Sequence, residues 1–141
     1  MKSDRVFRAP SVGVFMMFLF GVRLLVKWMG LAATERLLFR IAHRNAREVR
    51  GHRHALRSAE LTLLVERISI AATFVPCRAA CLEQSLVLFY WVNRQGKRAL
   101  LRVGIQPLPF SAHAWVEING RPVNCDGSQA RAFAPLQRVG D

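Results

Sequence analysis

From Val12 to Val49 apolar residues recur at intervals of three and four, as at Val22, Leu25, Val26 and Met29 and again at Leu37, Leu38 and Ile41, with Arg and Lys between them. That period gathers the apolar side chains on one stripe of a helix. Two helices are expected, broken near Gly30, the second opening at Thr34 as its N-cap with Glu35 in the first turn. Arg47 and Arg50 then fall in the last turn, where cations complement the carbonyl end of a helix, and Gly51 is the expected stop. The basic stretch 51–57 reads as an exposed connection, and a third helix follows over Ser58–Thr73. After Pro76, Leu82, Leu86, Phe89 and Tyr90 form one helical stripe that ends at Gly96, and this helix is expected to be the most buried.

The period then changes from helix to strand. Leu101, Val103 and Ile105 alternate with Arg102, Gly104 and Gln106, as a half-buried strand requires. Segments Ala112–Ile118 and Arg121–Asp126 flank Asn119-Gly120, two residues that tolerate the positive φ of a type I′ turn, so a two-residue antiparallel hairpin is predicted. Residues 127–141 read as an extended tail. The fold class is therefore α+β: N-terminal helices followed by a small antiparallel sheet. A basic helical region, 1–75, packs on a core, 76–141, that carries the candidate chemistry, within one structural domain.

Length and composition narrow the partners. A chain of 141 residues with 52% hydrophobic and 21% charged residues is the size of one domain and is not globally disordered. Its 21 Lys and Arg against 9 Asp and Glu give a net charge of +12, which attracts acidic partners over a distance. No DNA- or RNA-binding motif accompanies that charge, so nucleic acid is not the expected partner. Three cysteines, an odd number, and no small-residue cleavage site argue against a disulfide framework and for the reducing cytoplasm. The apolar segment Val12–Val22 is interrupted by Arg23 and Lys27, short of the roughly 20 residues a bilayer crossing needs, so no membrane span is expected. His52 and His54 have no acidic or cysteine neighbours and are assigned no metal.

The hairpin register gives the sharpest chemical inference. With 118 paired to 121, His113 falls opposite Asp126 in a non-hydrogen-bonded pair whose Cα atoms are about 4.5 Å apart, close enough for the carboxylate to orient the imidazole. Trp115 and Glu117 share that face, Glu117 being a second carboxylate within reach. Cys125 falls opposite Ala114 on the other face, as a core thiol. A cysteine acts as a nucleophile only as thiolate, and a helix N-terminus with a neighbouring imidazole lowers its pKa. Cys81 lies at or near such a terminus, where backbone N–H groups also stabilise an oxyanion. Cys77, four residues earlier, competes with it, and residue physics prefers Cys81 only modestly. A zinc site of Cys77, Cys81, Cys125 and His113 has suitable donors, but a Cys-x3-Cys spacing followed by Cys125 and His113 on opposite faces of one hairpin does not converge without a bulge. A non-catalytic module that lays its Arg-rich helices on a membrane or nucleic acid is the other alternative.

The run Cys81-Leu82-Glu83-Gln84-Ser85-Leu86, then His113-Ala114-Trp115-Val116-Glu117 with Gly120 and Val123, and the closing Phe133-Ala134-Pro135-Leu136 resemble the transglutaminase-like leader peptidases of lasso-peptide biosynthesis. The resemblance covers residues 76–136. It implies a transglutaminase-like, papain-like core and a thiol peptidase with Cys81, His113 and Asp126 as its triad and no cofactor or metal. It further implies a substrate, the leader of a ribosomally made precursor, whose removal frees the amino group that a separate ATP-dependent cyclase closes into a macrolactam. Because residues 1–75 lack the strand pattern of a fused leader-binding domain, a separate leader-recognition protein is the expected partner, with the cyclase as a further one. The expected location is the cytoplasm, with peripheral contact between the basic helices and a membrane left open. Hydrolysis and transfer to an amine share the thioester, and the sequence does not separate them.

Overall fold

The computed structural model describes residues 8–49, 56–75 and 81–136, with side chains 47–49 excepted. The chain runs α1 (Val12–Met29), α2 (Leu31–Val49), α3 (Ser58–Phe74), α4 (Cys81–Arg94), β1 (Ala99–Pro107), β2 (Phe110–Ile118), β3 (Arg121–Pro122), α5 (Gly127–Arg131) and β4 (Ala134–Pro135). The four strands form one sheet in the order β3-β2-β1-β4, every pair antiparallel.

Gly30 makes the break between the first two helices. At φ 81 it turns the chain in a conformation that a side chain resists, and its N–H closes α1 by donating to the Val26 carbonyl at 3.0 Å. The turn is so tight that α2 starts at Leu31, four residues earlier than an N-cap at Thr34 predicts. Thr34 is consequently not an N-cap: it is buried inside the first turn, and its hydroxyl donates back to the Gly30 carbonyl at 2.8 Å. The expected stop at Gly51 lies outside the described residues. The predicted third helix is α3, and its entry is fixed by the Arg57 N–H donating to the Glu60 carboxylate at 2.8 Å.

Helix α4 is the hub. It contacts α1, α2 and α3 on the helical side and β1 and β2 on the sheet side. Leu86, Val87, Leu88, Phe89, Tyr90, Trp91 and Val92 are all buried, so the helix is apolar around its circumference, as a helix enclosed on every side must be. Phe15 of α1 meets Trp91 edge-on at 5.8 Å, and Phe18 stacks on Tyr90 at 5.5 Å. One continuous apolar core holds residues from α1 through β2. A buried asparagine ties the end of α4 to the sheet: Asn93 Nδ2 donates to Ala99 O, and Ala99 N–H returns a bond to Asn93 Oδ1, each at 3.3 Å.

The hairpin forms at the predicted turn, with Asn119 at φ 52 and Gly120 at φ 74, and with Ile118 opposite Arg121 and Glu117 opposite Pro122. The ladder then stops, and the strand expected over Arg121–Asp126 shrinks to two residues. Val123 N–H still reaches Val116 O at 3.0 Å, but Val116 N–H is taken by the side chain of Asn124, Oδ1 at 2.8 Å. A side-chain acceptor has replaced the backbone, and the chain leaves the sheet. The tail is likewise not simply extended: α5 follows, then β4 returns to pair with β1, Gly104 opposite Pro135 and Ile105 opposite Ala134. Gly104 permits this return. A Cβ there would lie 2.7 Å from Phe133 Cβ and 3.0 Å from the Trp115 ring, so only glycine lets both residues close over the sheet.

Candidate active site

Cys81, the first residue of α4, is half-buried. One turn later on the same side of the helix, Ser85 is fully buried, and its hydroxyl donates to Ala114 O at 3.0 Å. Asn124 completes the connection, with Nδ2 donating to Ser85 Oγ at 2.9 Å while Oδ1 accepts Val116 N–H. This chain of bonds clamps α4 against the edge of β2 that β3 leaves uncovered. The second clamp, Asn93 on Ala99, lies level with Ile118, because Ala99 and Ile118 are register partners. From Ser85 to Asn93 is about 12 Å along a helix and from Ala114 to Ile118 about 13 Å along a strand, so the two elements run alongside one another. One turn back from Ser85, Cys81 opens α4, and no hydrogen bond joins it to His113 Nε2 among the described residues.

His113 is half-buried, stacked on Trp115 with ring centroids 5.9 Å apart and tilted against Phe133 at 5.4 Å. Its Nε2 is buried with no hydrogen-bond partner among the described residues. Burial pushes its pKa below the ordinary 6.5, because the charged imidazolium loses more solvation than the neutral ring. At neutral pH the ring is therefore neutral and has a nitrogen able to take a proton, the state a general base requires. The sign of the pH dependence follows. The unfolded chain takes up a proton that native His113 refuses, so stability rises with pH through this window and is lost as pH falls below 6.5. Urea unfolding between mildly acidic and neutral pH is expected to show a smaller drop for His113→Gln than for the parent; equal drops would assign the effect elsewhere.

The structure does not pair His113 with Asp126. Because the ladder ends at Pro122, Asp126 swings out to cap α5, fully exposed, its carboxylate accepting from Ser128 N–H and from Ser128 Oγ. The hydroxyl bond from Ser128, then its N–H, hold the Asp126 carboxyl below the usual range, with the Gly127 N–H and Arg131 adding to this. Glu117 is engaged as well, accepting from Trp115 Nε1 at 3.0 Å and from Arg102 Nε at 3.1 Å. Nor is Cys125 a core thiol. It is half-buried, and desolvation, then Asp126 and Glu117, push its thiol up, which disfavours the thiolate. Cys77 lies outside the described residues. Among the described residues no three His, Cys, Asp or Glu side chains converge to hold a metal.

A cleft of about 500 Å³ lies beside this site, between the sheet and the α5–β4 segment, lined by Arg102, Trp115, Glu117, Arg131, Phe133 and Pro135. It adjoins the His113 ring through Trp115 and Phe133, but neither His113 nor Cys81 lines it. Gln84 lines a small cavity with Val65, Ile68 and Asn124 between α3 and α4.

Sequence reasoning missed Ser85 and Asn124. A hydroxyl within the apolar run of α4 does carry a signal, since a buried Ser needs a partner, but the partner is 29 residues away and not legible by period. Asn124→Ala should cost about 1–3 kcal/mol by leaving the buried Val116 N–H unsatisfied. Denaturant titration reads this directly, and an unchanged midpoint would mean water replaces the amide.

Residues 16–138 match the family described as the transglutaminase-like superfamily. No curated protein and no solved structure matches the chain.

Proposed function

Because the chain belongs to the transglutaminase-like superfamily, we propose that it is a thiol peptidase that removes the leader from a lasso-peptide precursor, with Cys81 as nucleophile, His113 as base and Asp126 as the group that orients it. The observation that carries this reading is the buried, unpartnered Nε2 of His113, a neutral base with no structural bond to serve. The sequence blocks around Cys81, His113 and Phe133 supply the substrate class.

The chemistry runs in two steps. His113 takes the proton from Cys81 Sγ, and the thiolate attacks the carbonyl carbon of the scissile bond. Backbone N–H groups in the first turn of α4, which have no helical acceptor of their own, stabilise the oxyanion. The C–N bond then breaks, His113 returns its proton to the leaving amine, and the leader remains as a thioester on Cys81. Water, deprotonated by the same imidazole, cleaves the thioester and restores the thiol. The freed amine is the new N-terminus of the core peptide, the group a macrolactam cyclase requires. In the resting structure Asp126 caps α5, so orientation of His113 by its carboxylate requires that the carboxylate leave Ser128.

A net charge of +12 suits an acidic leader or an acidic recognition protein that presents it. The test is mass spectrometry of a precursor incubated with this protein and a separate leader-recognition protein. Two fragments whose masses sum to the precursor plus one water support the reading. An intact precursor, or a leader joined to an added amine in preference to water, overturns it.

A further inference from the structure

Helix α1 has a side that none of the described residues covers. Met17, Phe20, Leu24 and Trp28 are 76%, 55%, 42% and 83% exposed, and with Val14 at 38% they lie three or four residues apart along one line. From Met17 to Trp28 the line is about 16 Å long. Gly13 and Gly21 fall on the same side, so this face carries no polar side chain at all.

By length and composition α1 passes for a membrane-crossing helix, with a mean hydropathy of 1.8 over 18 residues and only 17% of the window buried. Its other face forbids that use. Phe15, Leu19 and Val22 are 0–2% exposed in the core, Phe15 stands against Trp91, and Arg67 of α3 donates to the Ala9 and Pro10 carbonyls at the entry to the helix. A crossing would strip α1 from α3 and α4 and open the core. The helix can meet a bilayer only from the side, lying in the plane of the surface with its outer face in the lipid.

The charges around this face select the lipid. No Asp or Glu occurs between Asp4 and Glu35, whereas Arg5, Arg8, Arg23 and Lys27 fall in that interval. Lys27 is exposed beside the stripe, Arg8 is exposed just before the helix, and Arg23 is 40% exposed while reaching Glu83 at 3.9 Å. An apolar face whose own segment of sequence carries cations and no acidic residue, with a tryptophan at one end, matches a surface of anionic headgroups over acyl chains. A protein interface of this size would usually mix hydrogen-bonding groups with its apolar centre, and this face offers none.

We propose that the outer face of α1 docks the protein in the plane of an anionic membrane surface. The two other tryptophans, Trp91 and Trp115, are 8% and 3% exposed, so quenching of tryptophan emission by brominated lipid reads Trp28. The full-length protein is mixed with vesicles of phosphatidylglycerol and phosphatidylcholine, or of phosphatidylcholine alone. Co-sedimentation with the anionic vesicles that weakens with salt, together with quenching by brominated chains, is expected. Phe20→Glu combined with Leu24→Glu, both outside the core, is expected to weaken vesicle binding by at least about tenfold with an unchanged melting temperature. Absence of vesicle binding by the parent, or binding indifferent to the double variant, overturns the proposal. So does a double variant that still binds vesicles but loses the leader-recognition protein, which would make the face a protein interface.

Discussion

Replacing Cys81 with Ala is expected to lower the rate of leader cleavage by at least about 10³-fold while leaving thermal unfolding unchanged. The sulfur is half-buried at the start of α4 and lies outside the apolar core, so its loss removes chemistry without opening a cavity. Cys125→Ala is expected to retain the parent rate within about twofold, because burial and the two nearby carboxylates keep that thiol protonated. Cys77→Ala is the informative control. Retained activity in Cys77→Ala with loss in Cys81→Ala supports the assignment, and the reverse pattern moves the nucleophile four residues back in the sequence.

The second large effect concerns the carboxylate. Asp126→Asn keeps a side chain that caps a helix almost as well as Asp, so α5 is expected to stay in place, while the negative charge that would hold and stabilise the His113 imidazolium is gone. A fall in kcat of about 10²–10⁴-fold with KM little changed is expected. Ser128→Ala removes the hydroxyl that now holds the carboxylate and is expected to leave the rate unchanged or raised. If Asp126→Asn is silent and Glu117→Gln is not, the orienting carboxylate is Glu117. Since Glu117 is bound to Trp115 and Arg102, the unfolding curve of Glu117→Gln is needed to separate catalysis from folding.

Much of this fold is legible from period alone. The helical stripes locate α1 to α4, Gly30 and Gly96 punctuate them, and Asn119-Gly120 fixes the hairpin and its first pairs. Those features depend on residues close in sequence, where propensity and spacing carry the information. The failures are long-range. Local sequence permits the hairpin to continue to Asp126, but Asn124 offers an amide oxygen to Val116 N–H and a donor to Ser85 Oγ, ending the ladder. From that one event follow the displacement of Asp126 to the α5 cap and the half-buried position of Cys125 outside the core. Thr34 failed for a related reason: the capping pattern was present, but Gly30 had already started the helix. Of the candidate site, the sequence offers only residue types around Cys81 and His113. The neutral, unpartnered state of His113 was not legible, since it comes from packing by Trp115 and by Phe133, which is twenty residues further on.

The account centres on a covalent intermediate at Cys81. Acid quenching of the precursor reaction, followed by digestion and peptide mass mapping, is the most direct test. The predicted result is an adduct of the leader's mass less one water on the peptide that carries Cys81, disappearing as free leader accumulates. Cleavage without any adduct, or an adduct confined to Cys77 or Cys125, would contradict it.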